Sequence, residues 1–169
     1  MSWVFGYGSL MWRPGFAYGR SEQAQLFGYH RAFCVYSHVH RGTPDCTGLV
    51  LGLDRGGSCR GMAFEVSDSD WDQVIQYLRE REQATAVYLE QELPVQLASG
   101  AKIRATAYLV DRDHHQYAGR LSLEDQLALV QQGVGQSGPN PEYVRNTVGH
   151  LEEMGIVDGP LHKLLLMLD

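Results

Sequence analysis

Val4-Phe5-Gly6-Tyr7-Gly8-Ser9-Leu10-Met11-Trp12 runs an apolar strand straight into two glycines, a serine and a tryptophan, the composition of a backbone turn that meets a ligand. Glycine lets the main chain approach a ligand closely, so a Gly-x-Gly-Ser turn can aim successive N–H groups at a carboxylate or an oxyanion. A dinucleotide fingerprint needs a third glycine where Met11 stands, and no Gly-x4-Gly-Lys-Ser/Thr loop occurs in the chain. Nucleotide cradles are therefore disfavoured. A tight bend after an edge strand, holding nothing, accounts for this stretch on its own equally well.

Outward from the turn, the first half reads as strands: Trp3 to Tyr7, Gln25 to Tyr36, Thr47 to Leu53 and Gly61 to Val66. Asp54-Arg55-Gly56-Gly57 predicts a hairpin between the last two. Ala86 to Leu97 and Lys102 to Val110 predict a second hairpin around Ser99-Gly100, with Pro94 at an edge or bulge. Ser67 with Asp70 reads as a helix N-cap, followed by Trp71, Val74, Ile75 and Leu78 at helical spacing. Further helices are expected over Ser122 to Gln132, from Asn140-Pro141 to a stop at Gly155, and after Pro160. Antiparallel hairpins with helices that do not alternate regularly with strands predict an α+β fold.

A chain of 169 residues that is 44% hydrophobic suits one compact domain over residues 1–169. The formal charge of -6 argues against nucleic acid or an anionic membrane as the main partner. Cys34, Cys46 and Cys59 form no close-spaced pair, so they read as reduced thiols of a cytoplasmic protein rather than zinc ligands. No basic stretch precedes an apolar run at the N-terminus, and no apolar segment is long enough to span a bilayer. His38-x-His40 lacks a third ligand and reads as loop packing, His114-His115 as a solvated turn. The Leu164 to Leu168 run reads as a core or subunit-contact helix.

Four further segments follow the opening turn in order: His40-Arg41-Gly42-Thr43-Pro44, Gly48-Leu49-Val50-Leu51-Gly52-Leu53, Arg79-Glu80-Arg81-Glu82, and Ser137-Gly138-Pro139-Asn140-Pro141-Glu142-Tyr143. Over nearly its whole length the chain resembles the ChaC-like γ-glutamylcyclotransferases. The resemblance implies a small mixed β-barrel flanked by α-helices, and a cofactor-free, metal-free enzyme that splits glutathione into 5-oxoproline and cysteinylglycine. It also implies substrate binding by Val4, Phe5, Gly6, Tyr7, Gly8, Ser9, Leu10 and Tyr143, with Glu82 as the catalytic glutamate. Many relatives follow that glutamate with a different dipeptide from the Gln83-Ala84 found here. The same cyclisation on other γ-glutamyl amines or amino acids, and a noncatalytic regulator that binds a γ-glutamyl group, stay open as alternatives.

Without the resemblance, the residues leave Glu82 between two readings. Projected at about 100° per residue, Glu82 falls roughly 40° from Leu78 on the stripe of Trp71 and Ile75, with Glu80 almost opposite. A carboxylate on an apolar stripe must be paired, solvated in a cavity, or held with a raised pKa. Fraying of the helix before residue 82 would instead leave it a solvated terminal charge. Ser9 is a poor nucleophile candidate, because Met11 stands where a nucleophile elbow needs glycine. Tyr143, in the first turn of a proline-initiated helix, reads either as a core aromatic or as a phenol reaching the substrate. Arg41 is a candidate partner for a substrate carboxylate.

Overall fold

The computed structural model describes residues 1–83 and 86–168. Its strands are β1 (Ser2–Gly6), β2 (Ser21–Ser37), β3 (Gly48–Val66), β4 (Tyr88–Leu97) and β5 (Lys102–Val110), which close into a barrel in the order β1-β3-β2-β4-β5. The helices are α1 (Asp68–Glu82), α2 (Leu123–Gln132), α3 (Asn140–Glu153) and α4 (Gly159–Leu168). This is the mixed α+β barrel with helices that the resemblance implies.

Closure depends on the first strand. β1 runs antiparallel to β3 from Ser2↔Val66 to Gly6↔Met62 and meets β5 in parallel at Val4↔Thr106. Val4 and Phe5 are fully buried there, so the strand that delivers the opening turn is anchored on both edges and by its side chains. β4 and β5 form the expected hairpin, with Gly100 at φ +98 in its turn. Against β2, β4 pairs from Leu26↔Val95 to Ala24↔Leu97. Pro94, which has no N–H to give, stands one residue outside that register.

The hairpin expected at Asp54-Arg55-Gly56-Gly57 does not form, and β3 runs unbroken through it. Gly56 and Gly57 take left-handed torsions, φ +106 and +67, and His30 Nδ1 on β2 lies 2.9 Å from the Gly56 carbonyl oxygen. Two such glycines bend the strand here instead of reversing it.

The chain resolves into two compact units: Met1–Arg31 with Leu53–Asp111, and Ala32–Gly52 with Arg112–Asp169. In the first, α1 starts where the sequence predicts, with the Ser67 hydroxyl accepting from the Asp70 N–H at 3.3 Å. Val74, Ile75 and Leu78 of α1 bury against Val4, Leu10, Val66 and Tyr108. Each such side chain contributes about 1.5–3 kcal/mol. In the second, α2, α3 and α4 pack on one another, and Val130, Val144, Leu151 and Leu164 on them are buried. A two-stranded ribbon, β6 (Val134–Gly135) with β7 (Gly138–Pro139), precedes α3.

Candidate active site

The opening turn leaves β1 at Gly6 and coils through one 3-10 turn, Ser9–Met11, closed by the Met11 N–H on the Gly8 carbonyl at 2.9 Å. The first N–H groups of such a turn, those of Ser9 and Leu10, lie outside its own ladder of hydrogen bonds. Tyr7, Gly8 and Leu10 are buried, whereas Ser9 is exposed. The turn is thus fixed from below by its side chains, with its donors on the backbone.

Glu82 is the last residue of α1, so the helix does not fray before it. Its side chain is 16% exposed, whereas Glu80 is exposed and accepts from Gln76 Nε2 at 3.5 Å. Burial pushes the Glu82 carboxyl above its ordinary range, against the opposing pull of the Arg81 guanidinium, whose Nε lies 3.6 Å from Glu82 Oε1. A carboxylate raised this way is a better proton acceptor than one in water.

Arg81 links the helix end to the turn. Its Nη2 donates to Ser9 Oγ at 2.9 Å, and its Nη1 donates to the carbonyls of Arg13 (2.7 Å) and Pro14 (3.0 Å) and to the Tyr77 hydroxyl (3.0 Å). Tyr77 Oη in turn sits against Gly15, which is at φ +75 and where an added Cβ would collide with the phenol. Arg79 clamps Glu90 of β4 with two bonds, 2.7 and 3.1 Å. Tyr108, opposite Glu90 across the β4–β5 hairpin, buries its hydroxyl. Desolvation, then the charges of Glu90 and Glu82, push that phenol far above its usual range and keep it protonated.

In the second unit, the two segments singled out around Arg41 and Tyr143 come together. Arg41 Nη1 donates to the Pro139 carbonyl at 3.1 Å and its guanidinium lies 5.4 Å above the Tyr143 ring. Tyr143 packs edge-on against Phe33, and its hydroxyl accepts from the Leu51 N–H at 3.2 Å. Asn140, fully buried, accepts from the Leu49 N–H at 2.7 Å and donates to the Leu49 carbonyl at 2.9 Å, as a strand neighbour would. His40 Nδ1 lies 3.2 Å from Ser137 Oγ, and His38 stacks on Tyr36 and on His115, which itself stacks on His114. The His114-His115 pair lies in a turn, with His115 exposed, and is also part of this ring stack. Among the described residues no group of three or more His, Cys, Asp or Glu side chains could hold a metal ion, and no helix is long and apolar enough to cross a membrane.

A family model for ChaC-like proteins matches residues 2–169. The chain belongs to the ChaC-like family. This ChaC-like chain is 32% identical over 164 residues to the glutathione-specific gamma-glutamylcyclotransferase of Escherichia coli (strain K12), an overlap covering 97% of the chain and 71% of that protein. It is 34% identical over 146 residues to glutathione-specific gamma-glutamylcyclotransferase 1 of Danio rerio, covering 84% and 74%. Its fold matches the crystal structure of a selenomethionine-labelled yeast gamma-glutamylcyclotransferase specific to glutathione, with a TM-score of 0.87 at 23% identity over 97% of this chain and 93% of that one.

Within the ChaC-like chain, Val4 and Phe5 sit in the strand core, Gly6 ends β1, and Tyr7 to Leu10 form the turn itself. Gln83 closes α1 as its C-cap, and Ala84 lies outside the described residues. Arg31, Tyr77, Arg81, Tyr108 and Asn140 are the residues that sequence reasoning missed. Arg81 and Asn140 carried a signal, the first as part of the Arg79-Glu80-Arg81-Glu82 run and the second in the Ser137 to Tyr143 segment.

Proposed function

We propose that this ChaC-like protein is a glutathione-specific γ-glutamylcyclotransferase, acting as one domain over residues 1–169. The observation that carries the reading is Glu82, a largely buried carboxyl at the end of α1, tied through Arg81 to the Ser9 turn.

The chemistry asks for few groups. The substrate's α-amino nitrogen attacks its own γ-carbonyl, a lactam C–N bond forms, and the C–N bond to cysteine breaks, so no water is consumed. The nucleophile is already tethered, and a site that holds the folded conformer gains much of its rate from proximity. An α-amine near pKa ~8 faces an ordinary glutamate near ~4.3, a gap of about 4 units or roughly 5 kcal/mol against proton transfer. Raising the Glu82 pKa by burial narrows that gap. Glu82 takes the ammonium proton and then gives it to the departing cysteinylglycine amine. The backbone N–H groups of the Tyr7 to Leu10 turn receive the substrate carboxylate or the oxyanion on the γ-carbonyl.

Tyr143 joins the reading as a substrate contact on the family motif, and Arg41 as the candidate for the glycine carboxylate. Cys34, Cys46 and Cys59, odd in number and without a close-spaced pair, support a reducing, cytoplasmic setting. The test incubates the protein with glutathione and detects 5-oxoproline and cysteinylglycine by mass spectrometry, with γ-glutamylcysteine and γ-glutamylalanine alongside. One charged hydrogen bond to the terminal carboxylate should favour glutathione by about ten- to a hundredfold in kcat/KM. Equal efficiency on all three would leave the cyclisation standing and overturn the glutathione assignment.

A further inference from the structure

Arg31, on β2, is 8% exposed, a rare position for a guanidinium. Its Nε donates to the Tyr7 carbonyl at 2.6 Å and its Nη2 to the Arg60 carbonyl at 2.8 Å, with Met11 Sδ 4.0 Å from the same Nη2. The rigid fork therefore grips two backbone oxygens at once, one of them on the residue that opens the turn.

We infer that Arg31 is a positioning residue that fixes the Tyr7–Gly8 peptide so that the Gly8 N–H faces the substrate. The inference rests on the reading of the turn given under Proposed function. A trans peptide is planar, so its C=O and N–H point in opposite directions. Holding the Tyr7 oxygen against Arg31 commits the Gly8 N–H to the far side. Without that hold, a peptide followed by glycine flips with little steric penalty and presents a carbonyl where a donor is required. The guanidinium has a second effect. A positive charge on the oxygen end polarises the amide and strengthens its N–H as a donor, most of all in a poorly solvated interior. Arg31 and Arg81 thus hold different parts of one turn, the first at Tyr7 and Met11, the second at Ser9, Arg13 and Pro14.

The test uses Arg31→Gln, Arg31→Lys and Arg31→Ala, with kcat and KM on glutathione, calorimetric titration of 5-oxoproline, thermal melting, and guanidinium added to the alanine variant. Folded Arg31→Gln should lose about ten- to a hundredfold in kcat/KM and weaken 5-oxoproline binding. The acid limb of its pH profile, which belongs to Glu82, should stay in place. Lysine, a point charge without a fork, should recover only part of the loss, and millimolar guanidinium should restore part of it in the alanine variant. Wild-type affinity and turnover in a folded Arg31→Gln would overturn the inference, as would a loss that tracks melting temperature and resists guanidinium. A measurement on the unaltered protein stands if the variants fail to fold: with 15N-glycine labelling, the Gly8 amide proton should move downfield on 5-oxoproline titration. A bound state that leaves it unmoved overturns the inference. Movement of Gly8 in a protein that does not cyclise glutathione would keep Arg31 in its role and remove the proposed reaction instead.

Discussion

Ser9 and Arg81, 72 residues apart in the chain, are joined by a 2.9 Å hydrogen bond from Nη2 to the hydroxyl. Through it the end of α1 and the opening turn hold one another, and Glu82, the next residue, takes its place from the same contact.

Glu82→Gln should lower turnover by at least about a hundredfold and leave 5-oxoproline affinity within a few-fold of wild type, since the amide keeps the shape and loses the exchangeable proton. Glu80→Gln, on the solvent face, should stay near wild type. Steady-state kinetics and calorimetric titration read both. Turnover above a tenth of wild type in Glu82→Gln would remove Glu82 as the base.

The same variant should be more stable than wild type at neutral pH. Burial raises the Glu82 pKa in the folded protein, so the folded state binds the proton more tightly than the unfolded chain does. Stability therefore falls as pH rises from the ordinary carboxylate value, about 4.3, to the raised folded value. The ionised carboxylate costs stability above that window and nothing below it. Melting curves of wild type and Glu82→Gln should converge towards pH ~4 and separate, with the variant higher, by pH ~7. Parallel curves would show that Glu82 is not held in its charged form against burial.

Arg81→Met removes both the charge that pulls the Glu82 pKa down and the bond to Ser9. The acid limb of kcat/KM against pH should move to higher pH, and kcat/KM at its optimum should fall by about ten- to a hundredfold. An unmoved acid limb would show that Arg81 does not act on Glu82.

Tyr77→Phe removes one acceptor of Arg81, and Gly15→Ala forces a Cβ onto the Tyr77 phenol from a left-handed backbone. Gly15→Ala should lose at least about 1 kcal/mol of stability and more activity than Tyr77→Phe. Denaturant melts and initial rates separate the two effects.

Asn140→Leu keeps approximate bulk and orphans the Leu49 N–H and C=O that the amide satisfies. The expected cost is about 2–6 kcal/mol, from two unpaired groups at roughly 1–3 each. Hydrogen exchange at Leu49 should quicken; protection unchanged from wild type would mean another group satisfies it.

The strands were legible where apolar alternation and turn residues agree, as in the β4–β5 hairpin. They were misread at residues 54–57, because Asp-Arg-Gly-Gly has the composition of a reversal and of a bend alike. Glu82 was legible because helical spacing puts it on the buried stripe. Arg31 was not, and Arg81 only as part of its charged run, since the carbonyls they grip belong to Tyr7, Arg60, Arg13 and Pro14, whose side chains have no bearing on the bond. The same holds for Asn140 and Leu49, a side chain meeting backbone 91 residues away.

Helix α1 is pinned at both ends, by the Ser67 cap at its start and by the Arg81 contacts at its finish, 15 residues or about 22 Å later. It therefore works as a ruler. One residue inserted or deleted between Asp70 and Leu78 would rotate everything beyond it by about 100° and shift it by about 1.5 Å, carrying the carboxylate off the buried face. Homologous chains are free to vary in length at turns such as Ser99-Gly100, whereas the span from Ser67 to Glu82 must keep its residue count even where nearly every exposed side chain on it changes.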